Sequence, residues 1–183
     1  PLPRNKAKSQ AKQKQAHRPI PVPVERSVDF CRVFVEGKAL PGSMHYTSAM
    51  ERVKEAENGY VWLSLHEPSA EQMERVAEEF GIHDLIVEDA VAAHQRPKVE
   101  RFGEQLFIVI RTVVYRDDEE VDDLREIIST GEVQMLVGEN FVITIRHDAE
   151  LPNLTQELIE DQEIASLGPA AVAWKVADHI VEN

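Results

Sequence analysis

The residues that could do chemistry fall in a few short stretches. Glu88 and Asp89 stand side by side in an apolar run, Leu85-Ile86-Val87-Glu88-Asp89-Ala90-Val91. Carboxylate oxygens are the donors that a hard divalent cation such as Mg2+ takes while keeping most of its waters. His94-Gln95-Arg96-Pro97 follows as a polar corner. Six acids surround Val121 between Asp117 and Asp123, and Asp178, His179 and Glu182 gather near the C-terminal end. The histidines show no H-x-x-x-H or H-E-x-x-H spacing, and there is no C-x-x-C, Gly-rich phosphate loop or G-x-S-x-G. Catalysis is not expected. A metal-dependent hydrolase built on Glu88 or Asp89 would lack a legible base and substrate pocket.

Each stretch also has a plainer reading. Neighbouring helical residues project about 100° apart, so Glu88 and Asp89 serve two faces rather than one tight pocket. Asp89 lies four residues after Leu85 and four before Ala93, on a partly apolar face, and wants a cation or a hydrogen-bond partner: it reads as a surface acid, as an acid paired to Arg96 or Lys98, or as a metal ligand. His94 and Gln95 suit hydrogen bonds at a corner, with Arg96 paired to an acid. The run from Asp117 to Asp123 reads as a solvated hairpin loop, since a flexible run preorganises no ligand geometry. Asp178, His179 and Glu182 read as the polar face of a helix.

Several elements must position these groups. Val28–Val35 alternates and is rich in β-branched residues, predicting a strand closed by Glu36-Gly37. Ser48 and Glu51 form a capping box for a helix to about Glu57, stopped by Asn58-Gly59. Tyr60–Leu65 predicts a strand. Ser69 and Gln72 cap a helix whose apolar face is Ala70, Met73, Val76, Ala77 and Phe80, with Gly81 as its C-terminal stop. Asp84 restarts the chain into a helix over Leu85–Ala93, and Pro97 forbids continuation past Arg96. Strands follow over Lys98–Phe102, Gln105–Arg116, Gly131–Val137 and Phe141–Arg146; Gly103-Glu104 and Gly138-Glu139-Asn140 are tight connections, which predicts antiparallel neighbours. A helix to about Gln162 carries Leu154, Leu158 and Ile159. A last helix opens at Gly168-Pro169, with an apolar stripe of Val172, Val176, Ala177, Ile180 and Val181 that is unfinished at Asn183, as in a fragment. The order predicts an α/β (α+β) fold with a mixed, largely antiparallel sheet between helical layers.

Composition narrows the partners. The 183 residues are 43% hydrophobic and 29% charged, within the range of a globular domain. Residues 1–26 hold seven Lys/Arg against Glu25, so the net charge of −13 leaves −19 on residues 27–183. The first 26 residues read as a disordered basic arm, suited to a solvated tail or an anionic membrane surface. The acidic body argues against nucleic acid and suits cations. The single Cys31 lies in a strand and reads as a buried, inert thiol in a reducing compartment. No apolar run approaches the roughly 18 to 20 residues of a membrane span, so the chain is expected to be soluble.

Phe80–Asp89, F-G-I-H-D-L-I-V-E-D, followed by His94–Glu100, H-Q-R-P-K-V-E, resembles the cytoplasmic domain of CorA-type magnesium and cobalt channels. The likeness continues in Gln105–Thr112, Phe141–His147 and Gly168–Ala171 and covers about residues 27–183. It implies a mixed sheet between helical layers, with the last helix beginning a stalk toward the membrane. It implies a homo-oligomer, a pentamer in the full-length parent, on the cytoplasmic side of the inner membrane. The family's two transmembrane helices and Gly-Met-Asn signature are not in this sequence. Family acids at this corner bind regulatory divalent cations between neighbouring subunits. The matching positions are Glu88 and Asp89, and the partner acid falls on Asp178. A further acid would lie beyond Asn183, so this chain alone should bind cations weakly. The implied ion is Mg2+ or Co2+, regulatory and transported, and zinc-transporting relatives share the domain. A free-standing metal-sensing or scaffold domain is the alternative.

Overall fold

The computed structural model describes residues 26–115, 128–151 and 153–182. The basic arm, apart from Arg26, and the acidic run from Asp117 to Asp123 lie outside the described residues.

Seven strands form one sheet: β1 (Val28–Val35), β2 (Lys38–Ala39), β3 (Gly59–His66), β4 (Lys98–Phe102), β5 (Gln105–Tyr115), β6 (Ile128–Val137) and β7 (Phe141–His147). Their spatial order is β2-β1-β3-β7-β6-β5-β4. Every pairing is antiparallel except β3 with β7, where Leu63 lies opposite Ile143. Of the three hairpins from β4 to β7, β4-β5 and β6-β7 are those the short connections predict, and β5 pairs with β6 across the acidic run. The parallel central pair joins them to the N-terminal strands.

Helices cover both faces. On one lie α1 (Tyr46–Lys54), α2 (Ala70–Phe80) and α3 (Asp84–Val91), on the other α4 (Thr155–Glu160), α5 (Gln162–Ser166) and α6 (Pro169–Glu182). Strand alternation divides the sheet residues between two cores. Val33, Leu63, Phe107 and Ile143 meet Met50, Met73, Val76 and Ile86 on the first face. Trp62, Met135 and Val142 meet Leu158, Val172 and Val176 on the second. Cys31 is buried in the first core, and burial pushes its thiol up to about 12, far from reactivity.

Local chemistry explains most boundaries. Ser69 Oγ accepts the Gln72 N–H at 3.2 Å, and Gly81 closes α2 in the left-handed region at φ 64°. The reciprocal half of the predicted capping box is absent, because the buried Gln72 carboxamide instead accepts the Ser27 hydroxyl. Ser48 is not the cap of α1. His45 is, its Nδ1 accepting the Thr47 N–H at 3.3 Å, and the helix ends at Lys54 rather than near Glu57. Glu36-Gly37 ends β1 as predicted, but as a two-residue turn with both φ positive, so β2 pairs back where the sequence suggested only a stop. The helix expected to run to Gln162 is broken at Asp161, whose side chain accepts the Ile164 N–H at 3.1 Å and starts α5. In α6 the inward stripe is Val172, Ala173 and Val176, with Ala177 and Ile180 beside it, whereas Val181 is exposed.

Candidate functional site

Helix α3 has only eight residues, too few to be stable in isolation. Only Ile86 and Ala90 are fully buried. Burying Ile86 contributes about 1.5–3 kcal/mol. The remaining restraint comes from its ends. His83 caps the start, Nδ1 accepting the Leu85 N–H at 3.2 Å. At the C-terminal end three exposed-type carbonyls are taken up by side chains. Gln95 Nε2 donates to Ala92 O at 3.0 Å and to Asp89 O. Gln134 Nε2 reaches the Ala92 and Asp89 oxygens at 3.3 and 3.4 Å. His147 Nε2 contacts Ala90 O at 3.0 Å.

These clamps rest on a polar row in the sheet. Arg111, Glu132 and His147 are direct neighbours across β5, β6 and β7. Glu132 is 2% exposed. Its Oε1 accepts Gln134 Nε2 at 2.6 Å, its Oε2 accepts the Gln95 N–H at 2.7 Å, and Arg111 Nη1 stands 3.6 Å away. His147 is 3% exposed, with Nδ1 2.8 Å from Glu67 Oε2. Burial alone would push His147 down. The Glu67 carboxylate, the Ala90 carbonyl and Glu132 outweigh it, so its pKa lies above the ordinary histidine value. An imidazolium beside the C-terminal end of α3 also has favourable helix-dipole geometry. Burial likewise raises Glu67, but His147 and the Asp148 N–H, 2.7 Å from Oε1, bring it below the usual glutamate range. Gly131 matters here because a Cβ would come within 2.3 Å of the Asp148 carbonyl.

The two candidate acids on α3 separate as the helical geometry requires. Glu88 is exposed and lines a groove of about 390 Å³ between α2 and α3, together with Glu74, Glu78 and Asp84, over Ala77, Ile82 and Val87. Asp89 turns toward β4. Its Oδ2 is 2.6 Å from Lys98 Nζ, which also lies 3.0 Å from Glu100 Oε2 and 5.4 Å from the centre of the Phe107 ring. The Asp89 hydrogen bond leads the causes that raise the Lys98 pKa. The third candidate, Asp178, is half-buried on α6. Helices α3 and α6 belong to opposite faces of the sheet, so one chain does not bring Asp178 together with Glu88 and Asp89.

The candidate donors are hard carboxylate oxygens, as Mg2+ prefers. Among the described residues, however, no group of three His, Cys, Asp or Glu side chains could hold a metal ion.

Of the corner residues, Gln95 makes the predicted hydrogen bonds, and His94 takes a positive φ of 70° at the turn. No carboxylate among the described residues is within ion-pair reach of Arg96; the acid at this corner pairs with Lys98 instead. Sequence reasoning passed over His147, Glu132 and Gln134. The signal was present: His147 is in phase with Phe141, Ile143 and Ile145, and Glu132 and Gln134 are in phase with Leu136, all facing the first core.

Among the described residues, no helix is long and apolar enough to cross a membrane. Residues 57–183 match the family model described as CorA-like Mg2+ transporter protein. YfjQ of Bacillus subtilis (strain 168), described as a metal ion transporter, is 26% identical over 137 residues, which is 73% of this chain and 40% of YfjQ. The cobalt/magnesium transport protein CorA of Thermotoga maritima is 38% identical over 71 residues, 39% of this chain and 18% of that protein. The chain thus spans less than half the length of these relatives. The structure of full-length CmaX superposes with a TM-score of 0.60 at 13% identity, covering 86% of this chain and 46% of that one, a likeness of fold alone. With the family model matched over more than half its length, the chain belongs to the CorA-like Mg2+ transporter family.

Proposed function

We propose that this chain is the cation-sensing domain of a CorA-type divalent-cation transporter, placed on the cytoplasmic side of the inner membrane and acting in a homo-oligomer, a pentamer in the whole protein. The observation that carries this reading is the division of the acids between opposite faces of the sheet, Glu88 and Asp89 on α3 and Asp178 on α6. An ion that touches both sets must join two copies. The all-carboxylate donor set suits Mg2+, a hard cation, better than Zn2+, which prefers nitrogen and sulfur.

The protein's part is electrostatic. Residues 27–183 carry −19, so copies packed around an axis repel one another. Glu88 and Asp89 of one copy and Asp178 of the next add to that repulsion where they face each other. A bound divalent cation supplies the positive charge that offsets it. The symmetric assembly is then favoured by the difference in ion affinity between the two arrangements, and loss of the ion shifts the population toward a looser ring and an open pore.

The test is cation uptake by the transporter that carries this domain. In the wild-type protein uptake should fall as internal Mg2+ rises. In E88Q/D89N it should persist at internal Mg2+ that closes the wild type. Equal inhibition of both proteins would remove the sensing role from these acids.

A further inference from the structure

Lys98 occupies the electrostatic position that a divalent cation at Asp89 would need. Its ammonium is 2.6 Å from Asp89 Oδ2, a full charge-assisted contact. The pair is not deeply buried, the Lys98 and Asp89 side chains being 25% and 36% exposed, so the contact can open to water and ions. Lys98 also has a second seat. Glu100, two residues along the same face of β4, places Oε2 3.0 Å from the ammonium, and the Phe107 ring lies beneath it at 5.4 Å. An ammonium displaced from Asp89 therefore keeps a carboxylate and an aromatic face. The displacement is an exchange of partners rather than the exposure of an unpaired charge.

We propose that Lys98 is a tethered competitor for the cation site, holding Asp89 when no divalent ion is present and setting the affinity with which one displaces it. This inference rests on the reading of Asp89 as a cation ligand. It adds that the resting partner of Asp89 is internal and that the threshold of sensing is written in Lys98. An ion arriving at Asp89 must overcome both the existing ion pair and the repulsion of a nearby ammonium. An intact site with no built-in cation would saturate at lower ion concentration.

The experiment is a Mn2+ titration of the whole chain, with paramagnetic broadening of the backbone amide signals as readout. Three proteins are compared: wild type, K98M, which keeps the aliphatic stem over Phe107 without the charge, and K98R, which keeps the charge. In the wild type, broadening should centre on the C-terminal half of α3. In K98M half-broadening should come at about fivefold lower Mn2+, a gain on the scale of a part-exposed ion pair. K98R should follow the wild type. Unchanged signals remote from α3 establish that K98M is folded. Equal Mn2+ dependence of wild type and K98M, with broadening at α3 in both, would overturn the role of Lys98 while leaving Asp89 as a ligand. Broadening that avoids α3 in all three would overturn both. Broadening at α3 in K98M alone would support the competitor role most strongly.

Discussion

Replacing Glu132 by alanine is expected to destabilise the domain by about 3 kcal/mol, the scale of removing one member of a buried charged network. Glu132 is 2% exposed and is the common acceptor for the Gln95 N–H and the Gln134 side chain, with Arg111 at 3.6 Å. Its loss leaves the part-exposed Arg111 guanidinium without its carboxylate and the Gln95 N–H without an acceptor. Gln134 also loses the contact that aims it at Asp89 O and Ala92 O. The damage should concentrate at the end of α3, since Glu132 touches that corner and little else. Denaturant unfolding measures the total cost, and amide hydrogen exchange locates it. A change below about 0.5 kcal/mol, the range of an ordinary surface substitution, would show that the network does not hold the corner.

Substituting His147 by leucine should cost a similar amount, about 3 kcal/mol, because it breaks a buried pair and leaves the Glu67 carboxylate without its counter-charge. It also frees the Ala90 carbonyl. This effect should depend on pH, and the sign follows from the direction of each shift. His147 is raised above its ordinary value of about 6.5, so its contribution is complete below that pH and is lost as pH rises through the raised value. Glu67 is lowered, so its contribution is present above about 4.5 and is lost as pH falls through the lowered value. The stability difference between wild type and H147L should therefore be largest between about pH 5 and 6.5 and shrink on the alkaline side. Unfolding curves from about pH 5 through the alkaline side, to about pH 9, decide it. A difference that is flat, or that grows with pH, would mean that His147 is held neutral.

Both predictions concern residues that sequence reading passed over, and the reason is physical. Propensity and capping chemistry are local. Ser69, Gly81 and Pro169 therefore announced their helix ends, and alternation located β4 and β7 nearly to the residue. The sequence marks Asp89 as an acid that wants a cation or a hydrogen-bond partner, with Lys98 within reach. What joins residues far apart in the chain was not legible. The parallel pairing of β3 with β7 is one case. The row Arg111-Glu132-His147 is another, since it exists only once three strands are in register. Polar residues at inward phases of β6 and β7 were the available sign, but their partner, the C-terminal end of α3, comes from about forty or more residues earlier. The failures at Ser48 and Asp161 were local. At α1 a histidine did the capping that a Ser/Glu spacing seemed to claim, and an aspartate started a new helix inside an apolar pattern.

The polar row also has a mechanical consequence for the corner that carries Glu88 and Asp89. Glu88 and Asp89 lie on a short helix that packing alone would hold poorly, and its last carbonyls are fastened to two central strands. On the proposed reading, a carboxylate on a helix held in this way would keep its place if a metal ion took over from the lysine.

The most direct measurement is the anomalous scattering of Co2+ bound to crystals of the protein. The account predicts a Co2+ peak between α3 of one copy and α6 of another, with Glu88 or Asp89 on one side, Asp178 on the other, and the Lys98 ammonium moved from Asp89 onto Glu100. Co2+ found only at other acids, with Lys98 still seated on Asp89 and no second copy facing the corner, would contradict it.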